Sequence, residues 1–153
     1  MSIVDHLAPL QGSWRGTNLL RLMPDDEYQS SAATASVGVT AVRFGSIAYT
    51  WSDGGSPQDG LLLLAGDATA DGASAVWVDS FHTGPSWMTF SGGVVDGVLR
   101  LVGSYPAPPG PDWGWEIHVR PQDAVLTMHN VVPGHEPYQV VELALQPDGE
   151  NDG

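Results

Sequence analysis

The sequence predicts an all-β protein: a single antiparallel, up-and-down, ten-stranded calycin-like β-barrel with a short N-terminal helix. Two observations favour strands throughout. Segments in which apolar and polar residues alternate run from one end of the chain to the other. Short clusters rich in Gly, Pro, Asp and Asn separate these segments, as is typical of turns. A long series of short antiparallel strands forms a sandwich or a barrel, and closure into a barrel removes the exposed edge strands.

The elements follow in order along the chain. A short helix is predicted within Ile3–Leu10, where Pro9 limits its length. Asp96–Gly97 is a strong hairpin signal, because both residue types tolerate a positive φ. The other breaks read SDGGSPQDG, DATADGAS, HTGP, PAPPGPD, PQD and PGHEP. The ten strands are predicted at Ser13–Leu22, Ser31–Val42, Ser46–Trp51, Gly60–Gly66, Ala75–Phe81, Ser86–Ser91, Val98–Tyr105, Trp113–Arg120, Ala124–Val131 and Tyr138–Leu145.

Length and composition set the domain organisation. A chain of 153 residues fits one domain with its own core, predicted over residues 1–146, and residues 147–153 are expected to form a disordered tail. There is no cysteine, which excludes a disulfide framework, a thiolate metal site and a cysteine nucleophile.

The charge of the chain restricts its partners. The formal net charge is −13, with five arginines spread along the chain and no lysine. Such a chain repels nucleic-acid phosphates and anionic membranes, so we expect neither as a partner. No apolar run reaches the ~18 residues of a membrane helix. The start, MSIVDHLAPL, lacks the basic and long apolar regions of a secretory signal, and a bacterial, cytoplasmic location is therefore expected.

Tryptophan marks the candidate pocket. Four of the six tryptophans lie in two short segments, Trp77–Trp87 and Trp113–Trp115. Each indole offers a large apolar area and one N–H that needs a partner, which favours a pocket for a small apolar molecule. The same residues are also compatible with a filled aromatic core. The side chains predicted to point into the barrel interior and line this pocket are those of Tyr49, Trp51, Trp77, Asp79, Trp87, Met88, Trp113 and Trp115.

Asp79 and His82 are the candidate acid–base residues. Strand alternation places Trp77 and Asp79 on one face and Val78 on the other. His82 is expected beside Asp79 only if the following turn swings the imidazole back. An inward Asp79 among indoles would favour its protonated form and suit acid or base catalysis. The alternative is that its carboxylate binds the backbone of the turn.

A second polar pair, Glu116 and His118, shares one face of a predicted strand. If Trp115 on the opposite face points inward, these two side chains are expected in solvent. His118 can pair with His129 across the next hairpin, but the five histidines show no HxH or HExxH spacing, so no metal is predicted. The chain also lacks the Gly-x-Ser-x-Gly, P-loop and dinucleotide fingerprints.

Several motifs resemble known barrels. The opening L-x-G-S-W-R-G, Leu10–Gly16, resembles the first strand of lipocalins and fatty-acid-binding proteins, where Gly-x-Trp closes the barrel bottom. An arginine often stacks on that tryptophan, and the resemblance implies Arg15 or Arg120 for this role. Together with W-x-D-S-F-H, G-S-Y, D-W-G-W and L-T-M-H-N, the chain resembles a bacterial family of small calycin-like barrels of unknown function.

Nitrobindins are a more distant resemblance, since these haem-binding ten-stranded barrels also begin Gly-x-Trp-x-Gly. Their haem-ligating histidine lies on the last strand. Here the last predicted strand, Tyr138–Leu145, has no histidine, and His135 lies in the turn before it. The resemblance therefore implies no haem for this chain, and no cofactor is predicted.

Three functions remain open from sequence. The first is the binding of a small hydrophobic or aromatic molecule in a Trp-lined cavity by a monomer or homodimer. The second is a cofactor-independent isomerase, cyclase or lyase that acts on an apolar metabolite through Asp79 and His82. The third is a structural or oligomerising barrel whose interior is filled.

Overall fold

The protein is a closed ten-stranded antiparallel barrel with one short helix, as a computed structural model of residues 1–148 shows. This confirms the predicted fold class. A four-residue helix, α1 (Ile3–His6), and a 3-10 turn (Ala8–Leu10) precede the strands. The strands are β1 (Gly12–Leu20), β2 (Gln29–Thr40), β3 (Phe44–Asp53), β4 (Ser56–Gly66), β5 (Ala73–Asp79), β6 (Met88–Val95), β7 (Val98–Tyr105), β8 (Trp113–Arg120), β9 (Val125–Val131) and β10 (Tyr138–Pro147).

Each strand pairs with its neighbours in sequence, and β1 pairs with β10 to close the barrel. Trp14 lies opposite Pro147 at this seam. The seam also continues beyond β10, since the Asp148 amide donates to the Ser13 carbonyl at 3.0 Å. The barrel therefore includes the first two residues of the predicted tail, and the rest of that tail, 149–153, lies outside the described residues.

Some strand ends differ from the prediction because turn geometry ends the strands earlier. Val42 was expected in β2, but Ala41 and Val42 have φ values of 51° and 69° and form the tight turn to β3. Phe81 was expected in β5, and the chain instead turns after Asp79. The alternation pattern runs on through both turns, so it does not mark where the hydrogen-bonded ladder stops.

One end of the barrel is closed by α1. A capping box between Ser2 and Asp5 starts the helix, with Ser2 Oγ accepting from the Asp5 amide. Ile3 and Leu7 are buried against β3 and β4, and a side chain at Gly45 of β3 would overlap Leu7. The helix therefore plugs this end.

Trp14 also lies at the plugged end of the barrel, but it is not held there by a stacked arginine as the resemblance implied. Its Nε1 donates to the Leu10 carbonyl at 2.7 Å. Within residues 1–148 neither Arg15 nor Arg120 stacks on it, and the cation–π contact found is that of Arg21 with Tyr28. The hydrogen bond to the 3-10 turn holds the indole in place instead.

The opposite end of the barrel, called the mouth below, carries five loops. They span residues 21–28, 54–55, 80–87, 106–112 and 132–137. Between mouth and plug the interior is packed with apolar side chains, among them Leu62, Leu64, Leu99, Leu101, Ile117 and Val119. In the part of the chain described, no helix is both long and apolar enough to cross a membrane.

Candidate functional site

An aromatic floor lies just inside the mouth. Trp77 of β5 and Trp115 of β8 stack with ring centroids 5.6 Å apart and planes inclined by 16°. Both are buried, at 1% and 7% exposure. Val76 and Val78 are exposed on the outer face, so Trp77 lies inside, as strand alternation predicts. The burial of Trp115 shows that its face of β8 also lines the interior, which the sequence had left open.

A buried hydrogen-bond chain fixes the floor. Trp77 Nε1 donates to Tyr49 Oη at 2.8 Å, and Tyr49 Oη donates to Asp79 Oδ2 at 2.6 Å. Burial, together with the negative charge of Asp79, raises the pKa of Tyr49 well above its ordinary value. The phenol therefore stays protonated. Its hydroxyl accepts a hydrogen bond from the indole of Trp77 and donates one to the carboxylate of Asp79.

The other oxygen of Asp79 caps the turn that follows β5. Asp79 Oδ1 accepts from the Phe81 amide at 2.8 Å and from the His82 amide at 2.9 Å. Thr83 Oγ1 accepts from the Asp79 amide at 2.9 Å. Both carboxylate oxygens of Asp79 thus accept hydrogen bonds within the protein. The carboxylate binds the backbone of the turn, as in the alternative given from the sequence.

This turn brings the His82 imidazole back over the floor. Its ring centroid lies 4.9 Å from that of Phe81, 5.3 Å from that of Trp115 and 5.8 Å from that of Trp77. Burial lowers the pKa of His82, and the negative charge of Asp79 opposes that shift. A neutral imidazole is therefore expected at pH 7. The turn therefore brings His82 back beside Asp79, which the sequence had left open, and the contact between them is made by the backbone amide of His82.

His82 separates two spaces. Beneath it lies a chamber of about 10 Å³, enough for one water molecule, bordered by Tyr49, Trp51 and Asp79. Above it a cleft of about 570 Å³ opens to solvent, a size typical of ligand pockets. The cleft is lined by Trp77, Phe81, His82, Thr83, Ser86, Trp87, Met88, Thr89, Ser104, Tyr105, Pro106 and Trp115.

Two predicted pocket residues lie elsewhere than expected. Trp87 is 72% exposed, so the prediction that it lies in the interior is wrong. It precedes β6, which begins at Met88, and its indole forms part of the cleft rim. Trp113, at the start of β8, is half-buried and lines a neighbouring groove with Met23 and Tyr138 instead of the cleft.

Sequence reasoning missed residues that shape the site. Gly60 of β4 lies opposite Asp79, and a methyl group there would overlap the Tyr49 phenol. Tyr105 lines the cleft and donates to Asn130 Oδ1 at 2.6 Å. The glycine within a strand pattern was the available signal, since it often marks a close approach. Nothing in the alternation identified Tyr105.

The Glu116–His118 pair lies on the outer face, as expected with Trp115 inside, but it is not solvated. Glu116 is 8% exposed, because neighbouring side chains on β7, β8 and β9 cover it. Arg100 donates to its two oxygens at 3.0 and 2.9 Å, and His118 Nε2 lies 3.0 Å from Oε1. The His118 and His129 ring centroids are 4.3 Å apart.

The pKa values of this outer cluster follow from its contacts. The hydrogen bonds from Arg100 lower the pKa of Glu116. Burial, with the positive charge of His118 next in size, lowers the pKa of His129 to about 4. Across residues 1–148, no three His, Asp or Glu side chains are arranged to hold a metal ion.

Comparison with known proteins identifies the family. The crystal structure of Rv2717c from M. tuberculosis matches with a TM-score of 0.60 at 14% sequence identity, covering 95% of this chain and 96% of that one. At this identity the match shows the barrel fold alone. No curated protein matches the chain. A family model described as a protein of unknown function (DUF1579) matches residues 4–146. The chain therefore belongs to the DUF1579 family.

Proposed function

We propose that the protein binds a small hydrophobic or aromatic molecule in the cleft at the barrel mouth. The observation that carries this proposal is an open cleft of about 570 Å³ whose lining is largely aromatic, with Phe81, Trp87 and Tyr105 above the buried Trp77–Trp115 stack. The chamber below His82 holds about 10 Å³ and is too small for such a ligand. The ligand therefore stays in the cleft above His82 and does not enter the deep interior.

The cleft combines flat apolar surfaces with a few polar groups, as ligand sites do. Phe81, Met88 and Trp87 add apolar walls, and Ser104 and Tyr105 also line this space. Burial of ~150 Å² of ligand surface at ~25 cal/mol/Å² contributes about 4 kcal/mol, from which the entropic cost of association is subtracted. Contacts with the aromatic walls would add to this contribution.

The test is a titration with N-phenyl-1-naphthylamine, a neutral aromatic probe. Binding should quench tryptophan emission and shift the probe emission to shorter wavelength. Trp87→Ala should weaken binding several-fold, because it removes a cleft wall without changing the interior. Phe44→Ala is the matched control, since Phe44 is a partly exposed aromatic residue at the plugged end. No binding, or equal weakening by both variants, would refute the proposal.

Acid–base catalysis is the second candidate, and His82 is the observation that favours it. Its imidazole lines the cleft, with a lowered pKa that leaves it free to accept a proton at pH 7. Asp79 lies behind it and holds the amide of His82. In this hypothesis His82 exchanges the proton with an apolar substrate, and Asp79 positions His82.

A further inference from the structure

We propose that the cleft prefers an organic cation: a quaternary or protonated amine attached to an apolar or aromatic body. This inference rests on the proposed function and specifies its ligand class. The observations that carry it are the aromatic walls of the cleft, the distribution of charge at the mouth and the buried carboxylate behind His82.

The cleft walls present aromatic rings from several directions. Phe81 and Tyr105 are half-buried and Trp87 is exposed, and all three line the cleft. Tyr105 packs edge-on to Trp115 with centroids 6.4 Å apart. Beneath them Trp77 and Trp115 are buried under His82 and add the field of two further rings. The face of each ring carries partial negative charge, and it attracts a cation within about 6 Å. Several rings around one space suit a cation better than a single ring does.

No arginine lines the cleft within the described residues. The nearest candidate on a mouth loop, Arg21, is already engaged, since it donates to the carbonyls of Gln139 and Pro24 and lies over Tyr28. His82 is neutral at pH 7 because burial lowers its pKa. An anionic ligand would therefore find no opposite charge here.

Negative charge dominates the loops around the mouth. Against the single Arg21, they carry the carboxylates of Asp25, Asp26, Glu27, Asp112 and Glu136. The whole chain has a formal net charge of −13. Such a field raises the local concentration of cations and lowers that of anions, and salt weakens the effect.

The buried carboxylate adds a short-range reason. Asp79 is 3% exposed and is bound by the Tyr49 hydroxyl and two backbone amides. Among residues 1–148 it forms no ion pair. His82 lines the cleft, and its backbone amide binds this carboxylate. A cation beside the His82 ring would bring a positive charge towards Asp79, which lacks one, in surroundings where charges are poorly screened.

The test compares three probes of similar size: trimethylphenylammonium, its neutral isostere tert-butylbenzene, and benzenesulfonate. Tryptophan quenching gives the Kd of each at low and at physiological ionic strength. We expect the cation to bind about 3- to 30-fold more tightly than the neutral isostere, the range typical of cation–π contacts. Salt should reduce that ratio, and the anion should bind most weakly.

Variants separate the aromatic contribution from simple burial. Trp87→Leu keeps an apolar side chain and removes a ring, so it should narrow the cation-to-neutral ratio, while Phe44→Leu should leave it unchanged. If tert-butylbenzene or benzenesulfonate binds as tightly as trimethylphenylammonium, or more tightly, the cation inference is overturned. The proposed function then still stands. If none of the three probes binds, both proposals fail.

Discussion

Tyr49 connects the aromatic floor to the loop that carries His82, and Tyr49→Phe removes a single oxygen atom from that connection. The variant keeps the ring and its packing. It leaves Trp77 Nε1 without its acceptor and Asp79 Oδ2 without its donor, both in the buried interior. The loss is therefore larger than that of one ordinary hydrogen bond.

The magnitude follows from the two groups left without partners. Each buried polar group that loses its partner costs about 1 to 3 kcal/mol, and a charged group lies at the upper end. We expect Tyr49→Phe to lower the free energy of unfolding by about 2 to 5 kcal/mol. For a domain of this size each kcal/mol lowers Tm by ~2 to 4 °C, so Tm should fall by about 4 to 20 °C.

Urea denaturation followed by tryptophan fluorescence measures this loss. The control is Tyr28→Phe, at the rim of the mouth. Tyr28 Oη donates to the Gln139 carbonyl at 3.2 Å, and that carbonyl keeps its hydrogen bond from Arg21 in the variant. We expect a loss of at most ~1 kcal/mol there. Equal losses in the two variants would refute the claim that the Trp77–Tyr49–Asp79 chain is a buried, coupled unit.

Three further predictions concern packing, pH and catalysis. Gly60→Ala should displace the Tyr49 phenol and lower Tm, whereas Gly110→Ala, in an open loop, should leave Tm nearly unchanged in thermal unfolding. The pKa of His129 is lowered to about 4, so the folded state is destabilised as pH falls from ~6.5 towards 4; His129→Gln should flatten this part of the stability–pH curve measured by urea denaturation. If turnover of an apolar substrate is detected, His82→Gln should lower kcat by ~10²-fold or more with binding largely intact, because His82 is the group in the cleft that exchanges the proton; an unchanged kcat would refute this role.

The alternation of apolar and polar residues was sufficient to predict the barrel. It identified all ten strands and placed Trp77 inside with Val76 and Val78 outside, whereas it left open which face of β8 lines the interior. The pattern has a period of two residues, which is a property of the ladder itself. It therefore predicts faces well and strand ends poorly, as Val42 and Phe81 illustrate.

The site depended on contacts that a single strand does not encode. Trp87 was expected inside, yet the ladder begins only at Met88 and the Trp87 indole is exposed. Glu116 was expected in solvent if Trp115 pointed inward, whereas side chains on adjacent strands bury it. The return of His82 over the floor required the turn capped by Asp79, whose geometry depends on tertiary contacts with Tyr49.

The plug formed by α1 has a consequence for the traffic of ligands. Ile3 and Leu7 fill the far end of the described barrel. A molecule in the cleft can therefore enter and dissociate only through the mouth. One ligand must therefore dissociate before a second can bind, and two compounds that bind in the cleft should compete for it. The residence time of a bound ligand is set at the rim of the cleft, where Trp87 lies. Substitutions in the strands near the plugged end should change the stability of the protein without changing the dissociation rate of the ligand.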